Sequence, residues 1–428
     1  MILHPSPTLK TQAIITVPGD KSISHRALMF NALATGTAHI ENMLMGEDVL
    51  CTLQILRQLG VPITLSEQYC IVEGVGGHFQ QPSSVLYCGN SGTTMRLMLG
   101  LLAPQPISVI LTGDASLQKR PMDRVTHYLR DVGVSYPESD NLAPIIQQGC
   151  TTIPHFDFTL HIASAQMKSA LLLAAVQSAG GIVRGGKSSR DHTEKMLKGM
   201  GASVLQEANG DVQIQPSTLK AQDITVPNDI SSAAFFMVAA VLSSQTTIEL
   251  PNVGLNPTRA GIIHTLQRMG ASVTIVNQRE MCGELVGDVV VYPSCLTGIT
   301  LNKDTIPTMI DELPILALAA TQAYGTTIIR GAADLRKKES DRIHSIVQMF
   351  KTFGVDIVEY QDGFSITGPQ SIQGGKIEGF GDHRIIMTAA IASLISENPI
   401  VIENVDAVNT SFPNFWELFV EIGGRFTS

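Results

Sequence analysis

One six-residue phrase recurs six times along the chain: a large apolar residue, two variable ones, an apolar residue, glycine and a small or β-branched residue. It reads LRQLGV up to Val61, LRDVGV up to Val134, LKGMGA up to Ala202, LQRMGA up to Ala271, FKTFGV up to Val355 and, more loosely, FVEIGG up to Gly424. The glycines (Gly60, Gly133, Gly201, Gly270, Gly354 and Gly423) are spaced by 73, 68, 69, 84 and 69 residues. Each phrase predicts a helix closed by a C′ glycine and followed by a β-branched strand. A second phrase accompanies it: a polar cluster, an apolar helix, a short turn, then a strand. Its clearest copies span 19–35, 89–103, 164–179, 228–242, 311–323 and 381–394. Two of them open alike, on Ile15-Thr16-Val17-Pro18 and Ile224-Thr225-Val226-Pro227, 209 residues apart. Such a rhythm predicts six α/β units of about 70 residues, three in each of two similar domains.

The rhythm has a chemical consequence. Each polar cluster sits where an apolar helix begins, and there the unpaired N–H groups and the positive end of the helix dipole favour anions. If the units pack alike, several helix starts in each domain face one way, suited to phosphate and carboxylate groups.

Composition narrows the partners. The 428 residues are 44% hydrophobic and only 16% charged, which excludes a disordered or fibrous chain. Lys and Arg total 29 against 38 Asp and Glu, a net charge of −9. That balance argues against nucleic acid as a partner, so any anionic ligand must meet local basic clusters. The six cysteines show neither C-x-x-C nor zinc-like spacing and read as reduced cytosolic thiols. Residues 1–10 lack a charged-then-apolar leader pattern, and the uncharged run 230–248 is broken by serines, Gln245 and threonines. The run reads as a buried helix followed by a strand, so no membrane span and a cytoplasmic protein are expected.

The clusters carry the chemistry. In Pro18-Gly19-Asp20-Lys21-Ser22-Ile23-Ser24-His25-Arg26, Asp20 can cap a helix while Lys21, Ser22 and Arg26 offer ammonium, hydroxyl and guanidinium donors. In Asn90-Ser91-Gly92-Thr93-Thr94-Met95-Arg96, Gly92 lets a ligand approach the backbone, but no nucleoside-triphosphate P-loop is present. Lys119-Arg120-Pro121-Met122 places two bases on a loop that reads as water-exposed, and Ser164-Ala165-Gln166-Met167-Lys168 is another helix start. Arg190-Asp191-His192-Thr193-Glu194 lacks the H-E-x-x-H spacing of zinc proteases, so no metal is expected. Asn256-Pro257-Thr258-Arg259 reads as a structural turn before a helix. The C-terminal half adds Asp311-Glu312, the dense run Arg336-Lys337-Lys338-Glu339-Ser340-Asp341-Arg342, and Gly381-Asp382-His383-Arg384. A carboxylate held among cations is a candidate proton shuttle, because its surroundings tune its pKa.

Seven ordered motifs carry a resemblance over essentially the whole chain: PGDKSISHRA (18–27), GNSGTTMRL (89–97), KRPM (119–122), SAQMKSALL (164–172), DELPILALAA (311–320), LRKKESDR (335–342) and GDHRIIM (381–387). With them the chain resembles the 5-enolpyruvylshikimate-3-phosphate synthases of the enolpyruvyl transferase family. The sets Gly19-Asp20-Lys21, Ser164-Ala165-Gln166-x-Lys168, Arg190-x-His192-x-Glu194 and Asn256-x-Thr258-Arg259 look like its class II branch, which tolerates glyphosate. The chain departs at Gly92, where a tolerant member has alanine, and at 410–413, where the other branch carries a ligand-binding lysine.

The resemblance implies an inside-out α/β barrel fold. Each of two similar domains would hold three βαβαββ repeats, with the active site in the interdomain cleft. One domain would take residues 1–18 and 227–428, the other the inserted residues 19–226, with crossovers near Pro18 and Pro227. It also implies transfer of the enolpyruvyl group of phosphoenolpyruvate to the 5-hydroxyl of shikimate 3-phosphate, by addition and then elimination. Lys21, Gly92, Arg120, Gln166, Arg342 and Arg384 would meet phosphoenolpyruvate. Lys21, Ser22, Arg26, Ser164, Gln166, Arg190, Asp311 and Lys338 would hold shikimate 3-phosphate. Asp311 would take the hydroxyl proton, and Glu339 with Lys21 would protonate and later deprotonate the methylene carbon. No metal or organic cofactor is expected, and a monomer is. Two alternatives stand beside it. The related UDP-N-acetylglucosamine enolpyruvyl transferase uses a loop cysteine, and residues 114–122 hold none. A non-catalytic α/β repeat protein binding phosphorylated metabolites would keep the anion sites without turnover.

Overall fold

All six repeated glycines have left-handed backbone in the computed structural model, with φ of 85° at Gly60, 100° at Gly133, 94° at Gly201, 100° at Gly270, 79° at Gly354 and 108° at Gly423. Each directly follows the capping residue of a helix, so the periodic phrase is a helix stop, repeated because only glycine takes that conformation without a Cβ penalty. The structure describes residues 1–6, 9–66, 69–137, 141–187 and 189–427.

Two compact units divide the chain. One comprises Met1–Pro18, Pro227–Glu280 and Leu285–Ser428; the other comprises Gly19–Val226 with Met281–Glu284. The second holds α1 (Lys21–Leu33), α2 (Glu47–Gln58), α3 (Gly92–Leu101), α4 (Asp123–Asp131), α5 (Ala165–Val176) and α6 (His192–Gly199). The first holds α7 (Ile230–Leu242), α8 (Gly261–Arg268), α9 (Leu313–Thr321), α10 (Arg342–Thr352), α11 (His383–Ser393) and α12 (Phe415–Glu421). Odd-numbered helices are buried almost throughout: α5, AQMKSALLLAAV, is apolar on nearly every side, while α1 also buries His25, Arg26 and Asn31. Even-numbered ones carry an apolar stripe, as α4 does with Val125, Tyr128 and Leu129. The sequence pattern therefore sorts the helices into a buried set and a covering set before any contact is considered.

Three sheets accompany each set of helices. Each contains a parallel pair of strands; in four of them the pair flanks one buried helix, as a βαβ unit requires, and in the other two it joins the strand after a buried helix to the strand at a crossover. In the unit of α1–α6 the parallel registers are Ile224 with Ile40, Leu86 with Leu111 and Gly181 with Phe156. In the other unit they are Ile248 with Ala13, Leu301 with Ile329 and Ile377 with Ile402. The third sheet there is completed by Ile2–His4, which pairs antiparallel with both Ile400–Glu403 and Arg425–Thr427. Inside each unit the buried helices pack on one another and against sheet strands, α1 on Tyr69–Val75 and α11 on Ile400–Glu403.

The two Ile-Thr-Val-Pro copies are where the chain changes unit. Gln12–Ile14 pairs in the sheet beside Thr247–Gly254 and then leads to α1; Ile224–Thr225 pairs beside Thr35–Glu41 and then leads to α7. Each unit thus contains a strand whose following helix lies in the other. Gly19, at the first crossover, cannot carry a side chain: a Cβ there would sit 1.9 Å from the Asn42 carbonyl oxygen.

Two glycines separate the energetic terms. Gly201 has positive φ, but a Cβ there would meet nothing within 4 Å, so Gly201→Ala should cost only the backbone strain, about 1–2 kcal/mol. On α3, Gly100 would place a Cβ 2.1 Å from the Ala170 carbonyl oxygen of α5, so Gly100→Ala must push these buried helices apart. Urea unfolding should show Gly100→Ala losing on the order of 3 kcal/mol or more. Equal losses for the two variants would refute this account of the α3–α5 approach.

Candidate active site

Five of the six buried helices begin with a side-chain cap. Asp20 accepts from the Ile23 N–H, Ser91 from Thr94, Ser164 from Met167, Asp229 from Ser231 and Asp382 from Arg384. The sixth, α9, follows a tight 3-10 turn, Ile310–Glu312, with Pro314 in its first turn. Helix starts also meet side by side. Gln166 of α5 donates to Thr93 of α3 over 2.9 Å, while at the far ends Gln177 donates to the Leu101 carbonyl over 3.0 Å. α3 and α5 therefore run parallel, and their capped ends share one edge of the unit.

Along that edge the expected residues of the Gly19–Val226 unit converge. Lys21, the first residue of α1, reaches Asp48 of α2 at 3.0 Å. Arg190 donates to the Ser22 hydroxyl over 3.3 Å. Arg96 links α3 to α5 through Gln166 at 2.7 Å and holds the 119–122 loop through the Pro121 carbonyl at 3.1 Å. Gly92 lies beneath two guanidiniums: a Cβ would meet Arg96 Nη1 at 2.8 Å and Arg120 Nη1 at 3.5 Å. Arg120 is buried, unlike the exposed Lys119 before it, because it donates to Asn90 at 2.8 Å and to Ser116 at 3.3 Å. The water-exposed reading of that loop therefore holds for Lys119 and fails for Arg120.

A second layer supports this edge. Arg26 is only 2% exposed, and it donates to Thr193 and Ser169 and to the Ser22 carbonyl, each at 2.8 Å. As placed, it braces α1 against α5 and α6, one layer behind Ser22. Lys168 and Glu194 form a buried ion pair at 2.5 Å. Cys51 of α2 has its thiol pushed up to about 11 by burial, with Asp48, Glu47 and Asp114 adding to the effect, so it offers no thiolate at neutral pH. Asp191, His192 and Glu284 bring donor atoms within 4.8 Å of one another. The Lys195 ammonium lies 3.3 Å from Glu284 and 3.6 Å from Asp191.

In the other unit the centre is Arg342. Its guanidinium is 1% exposed and grips Asp382 with Nε at 2.8 Å and Nη2 at 3.1 Å. Nη1 reaches Asp311 at 3.3 Å, and Nη2 also bonds Glu339. Burial works against both charges. The neighbouring Arg342 nonetheless holds the Asp382 carboxyl below its usual range, and Asp382 and Glu339 keep Arg342 a cation. Lys338 reaches Asp311 at 3.1 Å. Arg384 donates through Nη1 to the Asp311 carbonyl at 3.0 Å and lies 3.7 Å from Glu312. Arg336, in the same charge run, turns instead to Asp341 and Glu359 at the surface.

Within this unit, Asp311, Lys338, Glu339, Arg342 and Arg384 form one cluster; Lys21, Ser22, Gly92, Arg120, Ser164, Gln166 and Arg190 line helix starts and loops of the other. Sequence reasoning missed Asp48, Asp382 and Glu312 as partners, and passed over Arg96 although it lies within the Asn90–Arg96 motif. Arg96 follows Gly92 by four residues, one helical turn, which was the available signal. Nothing local marks Asp48, whose role depends on α2 packing beside α1.

Comparisons with known proteins bear on the family and the fold. The family model described as EPSP synthase (3-phosphoshikimate 1-carboxyvinyltransferase) matches residues 6–419. A 3-phosphoshikimate 1-carboxyvinyltransferase of Petrotoga mobilis is 47% identical, with 99% of each chain covered. One from Oceanobacillus iheyensis is 45% identical, with 94% of each covered. A solved EPSP synthase of Acinetobacter baumannii superposes with a TM-score of 0.88 at 41% identity, covering 99% of this chain and 98% of its own. The enolpyruvyl transferase NikO of Streptomyces tendae shares the fold at a TM-score of 0.79 and 14% identity, with 99% and 97% covered.

His25 supplies a test of the layer beneath Lys21. Its Nδ1 is 2.7 Å from the Thr52 hydroxyl, and burial, reinforced by Lys21 and Arg26, holds its pKa well below 6.5. The folded ring stays neutral, whereas the unfolded chain takes up a proton as pH falls through 6.5. Stability from this site is therefore complete above that pH and lost below it, by up to about 1.4 kcal/mol per pH unit. Unfolding free energies measured from pH 7 to pH 5 should fall less steeply for His25→Gln than for the parent protein. Parallel profiles would mean that the ring protonates within the fold.

Proposed function

The chain belongs to the EPSP synthase (3-phosphoshikimate 1-carboxyvinyltransferase) family, and we propose that the two clusters of cations and acids described above carry its reaction. The enolpyruvyl group of phosphoenolpyruvate passes to the 5-hydroxyl of shikimate 3-phosphate, and phosphate leaves. Both substrates carry phosphate and carboxylate, which is the chemistry that the capped helix starts and guanidiniums fit.

Lys21, Ser22, Ser164, Gln166, Arg190 and Lys338 hold shikimate 3-phosphate, with Arg26 adding positive charge one layer deeper. Lys21, Gly92, Arg120, Gln166, Arg342 and Arg384 receive phosphoenolpyruvate. Asp311, beside Lys338 and Arg342, accepts the proton of the attacking hydroxyl. Glu339, which lies against Arg342, gives a proton from its protonated carboxyl form to the methylene carbon, which becomes a methyl group as the hydroxyl oxygen bonds the neighbouring carbon and Glu339 is left as the carboxylate. In the elimination Glu339 takes a proton back from that methyl, the carbon–carbon double bond re-forms, and the carbon–oxygen bond to phosphate breaks. Lys21 assists at the same carbon. Fixed guanidinium and ammonium groups meet the charge that develops between the two steps. The observation that carries the assignment is Arg342: one buried cation touching both proposed proton carriers, Asp311 and Glu339.

The proposed cellular form is a cytoplasmic monomer. Among the described residues no helix is long and apolar enough to cross a membrane and the six cysteines are free, and both clusters lie on one chain.

Phosphate release should require both substrates together. It should fall about 10²-fold or more in Asp311→Asn and in Glu339→Gln, with substrate dissociation constants changing only a few-fold. Turnover that survives both substitutions would remove these residues from the chemistry.

A further inference from the structure

We propose that Glu312 is a positioning residue for phosphoenolpyruvate, acting by holding Arg384, and that Ser231 and Arg259 hold Glu312 in turn. The proposal rests on the reading that Arg384 receives phosphoenolpyruvate, and it concerns residues to which that reading gives no part.

Glu312 is 1% exposed at the end of the 3-10 turn before α9. Its Oε1 accepts a hydrogen bond from the Ser231 hydroxyl in the first turn of α7, and the same oxygen lies 3.7 Å from Arg384 Nη1. Arg259 Nη2 donates to the Ser231 oxygen at 2.7 Å and to Asp229, the cap of α7, at 3.2 Å. Asn256 fixes the turn that presents Arg259, its Oδ1 accepting from the Thr258 N–H at 2.9 Å and hydroxyl at 2.7 Å. The turn expected to be merely structural is therefore the far end of a buried chain that runs Arg259, Ser231, Glu312, Arg384.

Two observations separate this chain from ordinary packing. Glu312 Oε2 is buried and, among the described residues, has no hydrogen-bond partner. A buried charge in that condition is a poor way to stabilise a fold, since an apolar side chain of similar volume serves as well or better. Its position points to Arg384, whose Nη1 lies 3.7 Å from Glu312 Oε1. That guanidinium is anchored on one side only, through Nη1 to the Asp311 carbonyl; among the described residues its Nε and Nη2 make no hydrogen bond. Arg342, by contrast, bonds protein carboxylates through Nε and both terminal nitrogens. Arg384 can therefore offer its other edge to a carboxylate or phosphate as a planar fork, provided something fixes its plane. Glu312 sits behind it with the opposite charge and is itself fixed by Ser231.

The test has two arms, only one of which depends on turnover. First, ligand-free protein is treated with phenylglyoxal, an arginine-specific dicarbonyl, and modification of each arginine is followed by peptide mass mapping. Glu312→Gln should raise the rate at Arg384 several-fold while leaving the buried Arg342 unchanged. An unchanged Arg384 rate would overturn the proposal, even if the protein proved to have no transferase activity. Second, steady-state assays of Glu312→Gln should show KM for phosphoenolpyruvate rising on the order of 10-fold, with kcat and KM for shikimate 3-phosphate within about 2-fold. Glu312→Asp, which keeps the charge, should recover some of the loss. Equal rises in both KM values, or a loss of folded protein with no KM change, would mean that Glu312 is structural only. Should Glu312→Gln not fold, Ser231→Ala removes the clamp and keeps the carboxylate. It should move Arg384 reactivity and the phosphoenolpyruvate KM in the same directions by a smaller factor, and no movement in either overturns the proposal. Parent protein that releases no phosphate refutes the assigned reaction, while the mapping arm still decides the positioning.

Discussion

Burying an apolar helix on every side leaves its first turn with backbone N–H groups that need acceptors, and this constraint shapes the molecule. Capping residues at five of the six buried helices satisfy some of the demand. The helices that meet at their starts, α3 and α5 through Thr93 and Gln166, concentrate what remains at one edge. Positive helix ends, guanidiniums and ammoniums then accumulate where the fold already favours anions. The −9 net charge does not oppose this, because the cations that matter are local.

At the Arg342 cluster the same logic runs in reverse. The cations are met by the protein's own carboxylates: Asp382, Asp311 and Glu339 on Arg342, and Asp311 on Lys338. Asp382 is wholly buried and gripped by Arg342 at two points, which makes it the deepest counter-charge of that guanidinium.

Much of this was legible in the sequence, for a physical reason: the repeated elements are local. A C′ glycine, a cap and an all-apolar helix are set by residues within one or two turns, so Gly60 through Gly423 and the helix starts could be read directly. Arg120 and Arg26 could not be placed in the same way. Lys119 and Arg120 look alike on a loop, and Asn90 and Ser116 help to draw Arg120 inward. Arg26 depends on Thr193 and Ser169, 167 and 143 residues away. Glu312 was visible but overshadowed by Asp311 beside it, because a 3-10 turn directs neighbouring side chains differently and only packing against α7 shows which way Glu312 points.

The exchange of strands at the crossovers bears on how the chain is made. Ile2–His4 has both of its partner strands between residues 400 and 427, and Gln12–Ile14 pairs with residues 247–249. During synthesis from the N-terminus, the first fourteen residues leave the ribosome with no partner, while residues 19–226 emerge as a nearly complete unit. Ile224–Thr225 closes that unit's first sheet as its last strand. Residues 2–4 and 12–14 must then stay unpaired until the second half is made, with the apolar side chains of Ile2, Leu3 and Ile14 among them.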